Sequence, residues 1–120
     1  ANTSAILGVS IGKQAPQAVG QDVLDASGKT HPGIITVPIT VLKGDEALLK
    51  NLRAKLYEPE YAEMQVVDFS NVAQSCNVYE EYVASAAETP EREHTYYGVA
   101  IYGDKKKVNR LTGYLPLLRA

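Results

Sequence analysis

Between Ile34 and Leu42 the chain reads Ile-Ile-Thr-Val-Pro-Ile-Thr-Val-Leu, with threonine its only polar residue type. β-Branched residues favour the pleated backbone, and continuous rather than alternating apolarity is expected of a strand covered on both faces. Such a strand calls for helices above and below the sheet. Pro38 has no backbone N–H to give to a ladder, which demotes its own position to an edge or a bulge.

The remaining segments are read against that requirement. Met64-Gln-Val-Val-Asp-Phe69 and Thr95-Tyr-Tyr-Gly-Val-Ala-Ile-Tyr102 are short, apolar and of strong β propensity. Asp45 is a good N-cap for a helix with Leu48, Leu49, Leu52 and Leu56 on one face and Lys50, Arg53 and Lys55 turned to water. Ser70 or Asn71 caps a further helix that buries Val72, Cys76, Tyr79 and Val83 and stops near Thr89-Pro90. Asp104 can cap a short helix through Lys105, Val108 and Leu111, with Gly113 at its end and Tyr114–Leu118 returning as an extended tail. Asp25-Ala-Ser-Gly28 carries turn chemistry between Asp22-Val-Leu and Lys29-Thr-His31, a small hairpin. The first residues already read as helix, with Ala5, Gly8, Val9 and Gly12 at helical spacing and Ile6, Leu7 and Ile11 widening the apolar face. Two glycines there suit a face that another element approaches closely. Strands alternating with helices predict a layered α/β domain. Only three good strands are visible, which predicts that a first strand is missing and that the natural protein is longer.

Composition narrows the functional classes. With 120 residues, 45% hydrophobic and 22% charged, the sequence has the make-up of a single globular domain. A net charge of −2 argues against a protein that grips nucleic acid through its phosphates. No apolar run is long enough to span a bilayer, so no membrane partner is expected. The one cysteine, Cys76, excludes an internal disulfide and a cysteine-cluster metal site, and fits a cytoplasmic location. His31 and His94 lack a second ligand at metal spacing, no Gly-x-Ser-x-Gly elbow surrounds Ser70 or Ser75, and Gly8 and Gly12 do not complete a phosphate loop. No cofactor and no metal are expected.

Asp68 stands out among the carboxylates. It lies at the end of an apolar strand just before a helix, where open α/β sheets place ligand and catalytic groups. The competing reading makes it a structural cap for that helix. Lys105-Lys-Lys107 with Arg110 is the one basic cluster. On a short helix these side chains spread around the circumference, which favours a solvated helix end over a phosphate-docking patch.

Several segments resemble an uncharacterised bacterial family, a domain of unknown function whose members adopt the fold of type-2 peptidyl-tRNA hydrolases. They are Asn2-Thr-Ser-Ala-Ile-Leu-Gly8, Asp25–Gly33, Val37–Leu42, Val67-Asp-Phe69 and Tyr102-Gly with Val108–Leu118, the last being the most specific. The resemblance implies a three-layer α/β/α sandwich around a mixed, mostly parallel four-stranded sheet, its first strand absent from this chain. In the hydrolases a lysine before the first helix and an aspartate at a strand end are implicated in cleaving the ester between peptide and tRNA. Asp68 looks like that aspartate and Ala1-Asn2 like their Ala-Gln pair. The lysine lies outside this sequence, and Phe69-Ser-Asn-Val72 replaces their Ala-Gly-Arg-Thr.

Three functions follow as expectations. The first is a domain that binds or acts on a small molecule, with Asp68 as the catalytic candidate and Asn2, Thr112 and Lys105 as ligand-binding candidates. The second is a divergent peptidyl-tRNA hydrolase, which needs a basic rim. The third is a non-catalytic homodimeric module making contact through Tyr96, Tyr97, Tyr102 and Leu117 on one exposed face.

Overall fold

The computed structural model describes residues 1–119. Helix α1 (Asn2–Gln14) is followed by a hairpin of β1 (Val23–Leu24) and β2 (Thr30–His31), then by helix α2 (Glu46–Leu56). Strand β3 (Gln65–Ser70), the single turn α3 (Asn71–Gln74), helix α4 (Tyr79–Glu88), strand β4 (Tyr96–Tyr102) and helix α5 (Lys105–Thr112) complete the chain. The Asp25–Gly28 turn closes the hairpin as its chemistry demands, with Gly28 at a φ of 78°.

The four-stranded, mostly parallel sheet expected from the sequence does not form. Two separate two-stranded sheets are present among the described residues, and both are antiparallel. The connection between β3 and β4 explains the direction. One long crossover helix was expected, but Cys76–Val78 breaks it into α3 and α4, which pack on each other. The chain therefore returns beside its own exit. Asn71 donates its backbone N–H to Thr95 O at 2.9 Å, and Asn71 Oδ1 accepts the Thr95 N–H at 2.8 Å. A strand re-entering at the end its partner left must run antiparallel. Tyr79 and Val83, expected to be buried by the single helix, are exposed on α4.

Ile34–Leu42 is no central strand. Pro38 divides it, and each half has a different partner. Val19 bridges Ile35, with Gly20 and Thr36 N–H groups bonded to Ile34 O and Ala18 O, both at 2.8 Å. Beyond the proline Leu42 bridges Leu117, so the tail pairs here and not in a sheet with β3. Neither half is covered on both faces: Ile34 is 79% and Ile39 67% exposed.

Helices cover both faces of the β3–β4 pair. On one face Leu56, Tyr61 and Leu111 form the core with Leu52, Met64, Val66, Val99 and Ile101. On the other lies α1, and the glycine that admits it is Gly98 in β4. A Cβ there would stand 2.6 Å from Thr3 Cγ2 and 2.9 Å from Leu7 Cδ1, whereas Gly8 and Gly12 face open space. The small residues of α1 are therefore not its contact stripe.

Candidate functional site

The register of β3 and β4 sorts their side chains. Val66 pairs with Ile101, Asp68 with Val99 and Ser70 with Tyr96, all on the α2 face. Phe69 pairs with Gly98 on the α1 face. A bulge between Phe69 and Ser70 leaves Tyr97 as the extra residue. Tyr97 meets Phe69 at 6.1 Å between ring centroids. Neighbouring Tyr96 and Tyr97 thus serve opposite faces of the sheet.

On the α2 face Asp68 is met by Arg53, whose Nε donates to Asp68 Oδ2 at 2.7 Å. The side chains are 12% and 20% exposed, so the helix residue expected in water is turned inward. Its guanidinium lies 4.0 Å over the Tyr57 ring, a cation–π contact. Among the described residues Nε is the one guanidinium nitrogen bonded to a protein group, and the Nη groups are not sealed from solvent. One turn earlier Lys50 donates to the carbonyl oxygens of Arg92 and of His94, the latter at 2.8 Å, pinning the turn before β4.

Tyrosines complete the surroundings. Tyr82 of α4 has its phenol pushed up in pKa by burial first, then by the Asp68 charge and by Tyr79 and Tyr57, so it stays a hydrogen-bond donor. Tyr96 is raised further, again by burial first, and then by its hydrogen bond to Glu91 Oε2 at 2.9 Å. His94 stacks on it at 5.9 Å. Ser70 Oγ is fully buried with no hydrogen-bond partner among the described residues.

The residues singled out in the sequence are dispersed. Asp68 is half-buried on the α2 face. Asn2 is exposed at the start of α1, which packs on the opposite face. Lys105 opens α5, beyond the Tyr102–Gln65 end of the sheet, and is exposed. Thr112 is buried at the end of α5, where its hydroxyl donates to Val108 O at 3.1 Å. Of the basic cluster, Lys107 and Arg110 converge on Glu60: Lys107 Nζ donates to Glu60 O at 2.6 Å and Arg110 lies 3.7 Å from the Glu60 carboxylate. Tyr96 is 3% exposed, so the four residues suggested for a dimer contact do not share one exposed face. Arg53 and Tyr82 were missed. The available signal was that Lys50, Arg53 and Tyr57 fall on one stripe of α2 beside the leucines.

A small mixed α/β protein with an arginine–aspartate pair on its main sheet is what this geometry defines. The chain belongs to the DUF2000 family, proteins of unknown function, which it matches over residues 1–119. Its fold is similar to that of a protein of unknown function from Agrobacterium tumefaciens strain C58, with a TM-score of 0.83 and 18% identity, covering 98% of this chain and 85% of that one. A comparison with curated proteins finds no match. Among the described residues no group of three or more acidic, histidine or cysteine side chains could hold a metal ion, and no helix is long and apolar enough to cross a membrane.

Proposed function

We propose that the protein binds a small anionic molecule beside Asp68, with Arg53 as the group that addresses it. The observation that carries this reading is the inward-turned guanidinium of Arg53, whose Nε is fixed by Asp68 while its Nη groups have no protein acceptor among the described residues. A planar fork held in one orientation is the arrangement that suits a carboxylate or phosphate bound through two parallel hydrogen bonds. The Tyr82 phenol, kept protonated, adds a donor nearby. Donors without matching acceptors favour an anion over a neutral or cationic ligand. Asp68 acts here as a positioning residue, because its Oδ2 accepts from Arg53 Nε and holds the guanidinium in place.

Calorimetric titration and thermal unfolding with succinate and with inorganic phosphate test this. Saturable binding of at least one dianion is expected, with most of it lost in Arg53→Lys, which keeps the charge but not the fork. The reading fails if neither anion binds, or if Arg53→Lys and Arg53→Gln bind as the parent does.

A further inference from the structure

The α3 turn, α4 and the β4 bulge line an open cleft of about 640 Å³. That is within the range of roughly 300–1,000 Å³ common for small-molecule sites. Its polar lining is Asn71, Gln74, Ser75, Ser85, Thr89 and Tyr97, and among the described residues no charged side chain contributes. The hydrogen-bond capacity left over is balanced. Asn71 Oδ1 is taken by Thr95, leaving its amide N–H₂ as donor. Ser75 and Thr89 donate their hydroxyl protons to Val72 O at 3.0 Å and Ser85 O at 2.7 Å, leaving oxygen lone pairs. The single Cys76 thiol proton has Val72 O at 3.3 Å as its nearer acceptor, with Ser85 Oγ at 3.8 Å, which leaves Ser85 its own O–H to donate. Gln74 offers both kinds of group, and its side chain is exposed.

Tyr97 is the extra residue of the bulge, 46% exposed and backed by Phe69. A bulge re-aims one side chain relative to the pleat, and this one sets an aromatic ring in the cleft wall. A ring face offers a slightly negative, apolar surface to C–H groups bearing partial positive charge. Hydroxyl groups both donate and accept, so a lining with both capacities and no charge matches a ligand rich in hydroxyls.

We infer that this cleft binds an uncharged polyhydroxylated ligand, a pyranose sugar or short oligosaccharide, with one sugar face stacked on Tyr97. The site is distinct from that of Arg53, because Tyr96 and Tyr97 serve opposite faces of the sheet. In the sequence Tyr97 stands only as a strand residue and a candidate dimer contact.

The test is an amide chemical-shift titration of the isotope-labelled chain with maltose, cellobiose and N-acetylglucosamine, with glycerol as control. At least one sugar should give saturable shifts at Asn71–Ser75 and Tyr96–Gly98 and none at Arg53. Tyr97→Ala should weaken binding about three- to tenfold, the loss of one aromatic stack. Tyr97→Phe should retain most of the affinity, and Gln74→Ala, at an exposed position, should weaken it without altering the fold. The inference is overturned if no sugar gives saturable shifts at the cleft, if glycerol reproduces them, or if Tyr97→Ala binds as the parent does. Succinate binding at Arg53 is read separately, so either site can fail alone.

Discussion

Arg53 and Asp68 lie fifteen residues apart, and a 2.7 Å hydrogen bond between Nε and Oδ2 fastens helix α2 to strand β3. Removing one partner strands the other charge in a partly desolvated site. Asp68→Leu and Arg53→Met should each cost about 2 kcal/mol, below the roughly 3–5 kcal/mol of a fully sealed pair, since both side chains keep some contact with water. An apolar replacement of both, Arg53→Met with Asp68→Leu, should recover most of the loss. Urea unfolding of the four proteins in a double-mutant cycle measures this, and additive single losses would mean the pair is not coupled.

Gly98 is the second place where one residue governs an element. A methyl group there would meet Thr3 and Leu7 at 2.6 and 2.9 Å. Gly98→Ala should therefore destabilise by about 1–3 kcal/mol through overpacking. Made in a Thr3→Ser, Leu7→Ala background, the same substitution should cost distinctly less. Equal costs in both backgrounds would place the strain elsewhere than at α1.

Local signals were legible in the sequence, and tertiary choices were not. The Asp25–Gly28 turn, the valine-bearing β3, the tyrosine-rich β4 and the aspartate caps depend on neighbours a few residues away, and they form where the sequence places them. Ile34–Leu42 depends on which distant backbone pairs with it. Its β-branched run encodes an extended conformation but not a partner, and Pro38 allows two. The direction of β4 turned on a break at Cys76–Val78 that carries no glycine or proline. Asp68 was legible as a candidate site residue from its place near a strand end. Arg53 was not, because a basic residue beside a leucine stripe reads as solvated until its carboxylate partner is placed opposite it.

The helix starts allow a direct check of that local legibility. Asp45 accepts from Leu48 N–H at 2.8 Å and Asp104 from Lys107 N–H at 3.1 Å. Replacing either by alanine should cost about 1 kcal/mol, and by glycine only a few tenths. The caps share no partner, so the double variant should show the sum of the two losses in urea unfolding.

Asp25 accepts from Ser27 N–H at 2.9 Å, Lys29 N–H at 3.0 Å and pairs with His31 Nε2 at 2.8 Å. The His31 bond first, and then the backbone bonds, hold its carboxyl below the ordinary value of 3.8. A carboxyl whose folded pKa is depressed adds stability above its unfolded pKa and loses it as pH falls through the folded one. Carbon-detected titration of the Asp25 side chain should give a midpoint below 3.8, and His31→Ala should move it upward. A midpoint unchanged by that substitution would assign the depression to the backbone bonds alone.

Ser70 tests the same face of β3 from the opposite direction. Its hydroxyl is buried without a partner among the described residues, although the residue stands at the N-cap of α3, where a serine ordinarily bonds the backbone. Burying an unpaired hydroxyl costs free energy, and replacing it by hydrogen removes that cost while opening little space. Ser70→Ala should accordingly leave stability unchanged or raise it by up to about 1 kcal/mol, against the usual sign for a cap serine. Thermal and urea unfolding decide the sign. A loss of about 1 kcal/mol or more would show that the hydroxyl is paired in solution, with an ordered water as the available partner.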